Sequence, residues 1–100
     1  MNLTDFKESL KAEKPPAGIS NYLEALWHDA KGNWNKSHNI VQDLHSSEAA
    51  WIHAYLHRKE GDISNADYWY SIARKKRPSA TLEEEWKSLA NNFVAVKTGC

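Results

Sequence analysis

One hundred residues, with 13 Lys/Arg, 13 Asp/Glu and zero formal charge, leave room for a single domain spanning 1–100 and give no basic excess for nucleic-acid binding. The 41% apolar content excludes a disordered chain, yet no apolar run approaches the ~20 residues that cross a bilayer. Met1 to Asp5 lack the basic and apolar regions of a signal peptide, and a single cysteine, Cys100, allows no internal disulfide, so a cytoplasmic protein without membrane association is expected.

Thr4 is placed to cap a first helix over Asp5–Glu13, with Phe6 and Leu10 on one face, and Pro15-Pro16 stops it. Ser20 opens the second helix. Tyr22, Leu23, Leu26, Trp27 and Ala30 recur at helical spacing until Gly32-Asn33. The third runs from about Trp34 with Trp34, Ser37, Val41 and Leu44 as its inner stripe, and His45-Ser46-Ser47 breaks it. A fourth segment, Glu48–Glu60, is apolar almost all round, which suits a central position. Gly61-Asp62 closes it and caps the fifth, where Ile63, Ala66, Tyr70 and Ala73 share a side. That helix is expected to end in Arg74–Arg77 before Pro78, with cations at the end its dipole favours. Thr81-x-x-Glu84 fits a capping box for the last helix, with Leu82, Trp86, Leu89, Ala90 and Phe93 as its stripe. No stretch alternates with period two. The fold class is all-α: a bundle of about six helices.

Five tryptophans (Trp27, Trp34, Trp51, Trp69 and Trp86) are spread over these segments and are expected to tie neighbouring helices together.

Self-comparison adds an internal repeat. Ala25-x-x-His28-x-x-x-Gly32-Asn33 aligns with Ala54-x-x-His57-x-x-x-Gly61-Asp62 at a shift of 29 residues. Ser37, Val41 and Leu44 then fall opposite Ala66, Tyr70 and Ala73. Each unit reads as helix, tight turn, helix, with a small residue five positions after the glycine that lets two backbones approach. The segment Gly61-Asp62-x-x-x-Ala66-x-x-x-Tyr70-x-x-Ala73-x-x-x-x-Pro78 resembles the second half of a tetratricopeptide repeat. That resemblance implies two helical hairpins flanked by an N-terminal and a C-terminal helix, and a protein- or peptide-binding module. The phrases at 15–20, 25–32 and 51–62 also resemble a group of small, uncharacterised bacterial proteins. This second likeness implies a bacterial source and a helical-hairpin fold, and no activity.

In the hairpin register, Glu48, Trp51, Tyr55 and Arg58 would line the groove of the second unit. Trp, Tyr and Arg are the residue types most enriched at binding hot spots. A terminal helix lying over this stripe would make it core instead. His53-x-x-x-His57 puts two imidazoles on one helical face, with His28 the repeat equivalent of His57. Such a pair can chelate zinc or copper but needs further ligands, for which His28, His38, Glu24 and Glu60 are available. The plainer reading is that these histidines face inward as hydrogen-bonded polar residues, with no metal or other cofactor needed for folding. No catalytic signature appears: there is no strained Gly-x-Ser-x-Gly elbow, no His-Glu-x-x-His and no phosphate-cradling loop. Arg74–Arg77 and Glu83–Glu85 fit the helix dipole. The expected function is therefore non-enzymatic protein or peptide binding through Trp51, Tyr55 and Arg58. The alternative is a small metal- or ligand-binding protein, an enzyme of unspecified type included, built on His28, His53 and His57.

Overall fold

The computed structural model describes residues 1–94, and Cys100 lies outside them. Six helices make up this part: α1 Leu3–Ser9, α2 Asn21–Ala30, α3 Trp34–Gln42, α4 Ser47–Glu60, α5 Ile63–Ile72 and α6 Leu82–Val94. There is no strand among the described residues, so the all-α class holds. None of these helices is long and apolar enough to cross a membrane.

Side chains just outside each helix decide where it starts. Ser20, Asn33, Ser46 and Asp62 accept hydrogen bonds from the exposed first-turn N–H groups of α2, α3, α4 and α5. Thr81 and Glu84 form the expected reciprocal box at α6, with 2.8 and 3.1 Å bonds. The first helix departs from expectation. Asn2, not Thr4, caps it, because its side chain accepts from the Asp5 N–H at 2.8 Å and the Asp5 carboxylate returns to the Asn2 N–H at 3.4 Å. It also stops at Ser9, tightening into i→i+3 turns through Ala12 well before the prolines.

Three helices end in the same way. Gly32, Gly61 and Arg74 have φ of 84°, 91° and 61°. The next N–H reaches back to a carbonyl five residues earlier, from Asn33 to His28, Asp62 to His57 and Lys75 to Tyr70, each at 2.9 Å. α5 therefore ends at Ile72, and Arg74 belongs to the turn rather than to the helix as the sequence suggested.

The Gly32 and Gly61 turns fold α2 back on α3 and α4 back on α5, and the two pairs meet along α3 and α4. Ala54, Ala66 and Tyr70 form a buried cluster at the α4–α5 seam, with both alanines fully enclosed. On the other side, α6 lies across α1, α2 and α4, and Trp86, Leu89 and Phe93 join Phe6, Leu26 and Leu56 in the main core. Burying each large side chain of this kind contributes roughly 1.5–3 kcal/mol. Four indole N–H groups fasten the layers. Trp27 donates to the Ser9 carbonyl, Trp34 to Leu56, Trp51 to the Glu85 carboxylate and Trp86 to the Leu26 carbonyl, at 2.8–3.3 Å.

Candidate functional site

Beyond Glu48, which stays exposed, the stripe expected to line an open groove is covered by α6. Tyr55 is 2% exposed, and its hydroxyl donates to the buried Asp29 carboxylate at 3.1 Å. Arg58 pairs with Glu85 of α6 at 2.7 Å and also donates to the Ala80 carbonyl. Trp51, half-buried, donates to the other Glu85 oxygen. The Tyr70 hydroxyl completes the set at 2.6 Å, so one enclosed carboxylate gathers Trp51, Arg58 and Tyr70 around itself. Burial and the adjacent carboxylates push both phenols up, which keeps them protonated as donors. Trp51, Tyr55 and Arg58 are thus polar fasteners of the bundle. The physical reason is that α6 has its own amphipathic stripe to bury, and the inner faces of α2 and α4 are where it fits.

On the opposite side, where α3 and α5 flank α4, three imidazoles converge. His38 of α3 and His53 and His57 of α4 bring one ring nitrogen each within 4.8 Å of the others. The ring centroids stand 4.7 Å apart for His38–His53, 5.2 Å for His38–His57 and 4.8 Å for His53–His57. Tryptophans enclose the group: Trp34 stacks on His38 at 4.8 Å and Trp69 on His53 at 4.0 Å. His53 and His57 are buried and His38 is half-buried.

Each histidine is held for a local reason. His53 and His57 share a face of α4 one turn apart, as the spacing requires. His38 follows Ser37, the fully buried small residue of α3, and its ring packs against Trp34 one turn earlier. His57 Nδ1 lies 2.6 Å from a Glu60 carboxylate oxygen, a contact that favours the Nδ1–H tautomer with Nε2 as the acceptor atom. The Asn65 amide approaches Nε2 at 3.4 Å. Burial pushes His53 down to about 4, helped by the neighbouring His38 and His57. Burial and His57 lower His38 as well. Both are neutral at neutral pH, the form in which imidazole binds a metal.

Of the further donors available in the sequence, His38 takes the third place and Glu60 stands behind His57. His28 does not join. It sits on α2 beside Glu24 of its own helix, 3.6 Å away, and against Trp27. A second set, His57, Glu60 and Asp62, also has donor atoms close together, but both acids are exposed and Asp62 is engaged in capping α5. The sequence carried one overlooked signal for His38: it directly follows the residue that the repeat marks as a close helix contact.

No family model matches the chain, and no curated protein or solved structure matches it.

Proposed function

We propose that the protein binds one late first-row transition-metal ion, zinc or copper, through His38, His53 and His57. The convergence of three imidazoles from two helices within 4.8 Å carries the reading. Three nitrogens bound to one zinc at 2.0–2.1 Å would sit roughly 3.3 Å apart, so closure takes side-chain rotation of about 1 Å. The Glu60 carboxylate on Nδ1 of His57 is the second support, since metal-bound histidines commonly donate their other N–H to such a group. Helices α3, α4 and α5 are already packed by apolar side chains and indoles, so the ion is cargo or cofactor and not a folding requirement.

Calorimetric titration of untagged protein with Zn(II) and Cu(II) tests this. One ion per chain is expected, with affinity reduced at least about tenfold in His38→Ala and Glu60→Gln and unchanged in His28→Ala. Absence of binding, or equal binding by His38→Ala, overturns it. His38 is only half-buried, and a thermal melt of the metal-free variant establishes that it folds.

The exposed face of α5 favours a second reading, protein or peptide binding. Tyr68 and Ile72, one turn apart, are 59% and 42% exposed. With the inner groove filled by α6, a partner would meet this outer face. Loss of a captured partner in Tyr68→Ser/Ile72→Ser, but not in Trp51→Phe, supports that reading, and the reverse pattern excludes it.

A further inference from the structure

We infer that a metal ion held by the three histidines keeps an open coordination position facing a cavity between the end of α3, the start of α4 and α5, and that this position takes a small monoanion. The inference rests on the metal reading given above. The ligand count opens the position: among the described residues the set ends at three donors, and no fourth His, Cys, Asp or Glu completes it. Zinc completes a tetrahedron, so a three-imidazole set leaves one place for water or an exogenous ligand.

Charge selects the ligand. Imidazole binds a metal as a neutral ligand, so a set of three leaves the bound ion its full formal charge. The nearby carboxylate of Glu60 is already engaged by His57 Nδ1. An anion on the open position offsets that charge, and a partly desolvated setting strengthens the attraction.

Shape supplies the route. A cavity of about 390 Å³ has His53 in its lining, together with buried Val41 and Ala50 and half-buried Trp69. Exposed His45 and Ile72 lie at its outer edge. Of the three histidines, His53 lines this space, and the proposed route to the ion runs past His53 and the Trp69 ring stacked on it.

Cobalt(II) replaces zinc with a visible spectrum that reports coordination, and azide is the monoanion probe. Protein loaded with Co(II) is titrated with azide. The expected result is a saturable change in the visible bands that weakens at least tenfold in Ala50→Leu, which fills the cavity, while Co(II) affinity stays the same. Ile72→Trp obstructs the exposed edge without entering the core and is expected to act likewise, so a misfolded Ala50→Leu does not end the test. Bound Co(II) whose spectrum ignores azide overturns the open position alone. An azide response equal in both variants and the parent overturns the cavity route. Failure to bind Co(II) at all removes the metal reading itself, and this inference with it.

Discussion

Single residues reveal where the packing is unfinished. Ser37 is fully buried, and its hydroxyl has no hydrogen-bond partner among the described residues, whereas its repeat counterpart Ala66 fills the same kind of seam without a polar atom. An unpaired buried hydroxyl costs about 1–3 kcal/mol, so Ser37→Ala is expected to stabilise the protein by about 1 kcal/mol in urea unfolding. Arg74 holds a left-handed conformation in a turn where the two equivalent positions are glycine. Relief of the side-chain penalty, less the extra chain entropy of glycine, predicts that Arg74→Gly stabilises by up to about 1 kcal/mol. The same substitution logic reversed, Gly61→Val, is expected to lower the melting temperature and cost at least about 1 kcal/mol. His53 sets a pH dependence. Its folded value near 4 lies below the unfolded value of about 6.5, so the unfolded chain takes up the proton first as pH falls. Metal-free stability should hold above pH 6.5, decline from there towards pH 4, and decline less in His53→Gln. Urea midpoints across this range, at fixed salt, measure it.

At the scale of elements, the boundaries follow from short-range chemistry and were legible for that reason. Ser20, Asp62 and Thr81 cap where the sequence places them, and both Gly-Asn and Gly-Asp turns reverse the chain as the repeat requires. The errors are also short-range. Asn2 outcompetes Thr4 because Asp5 sits three residues on and can answer it, and Arg74 takes the turn position that an expected cationic helix end would have denied it. What the sequence could not supply is which face of one helix meets which face of another. His28 and His57 are equivalent by repeat, yet His57 meets His38 because α3 docks on α4, while the ring of His28 lies against Trp27 of its own helix. The Trp51–Tyr55–Arg58 stripe is correct as a helix face, but its fate was decided by α6, whose docking is a long-range event.

The whole molecule has two differently built sides. Inward, α6 is locked by the enclosed Glu85, which collects donors from α4 and α5. Removing that carboxylate strands the largely buried Arg58, so Glu85→Ala is expected to cost about 3–5 kcal/mol by urea unfolding, more than Glu83→Ala on the exposed face of the same helix. Outward, three imidazoles lie between two tryptophans, with the Glu60 carboxylate bonded to one of them. On the proposed reading, stability belongs to one side and ligand chemistry to the other. Thermal unfolding with and without excess Zn(II), for the parent and for His38→Ala, tests it most directly, because an ion that binds the folded state raises the melting temperature by mass action. The account predicts a rise in the parent that is absent or much smaller in His38→Ala, with both proteins folded before zinc is added. No rise in the parent, or an equal rise in both, contradicts it.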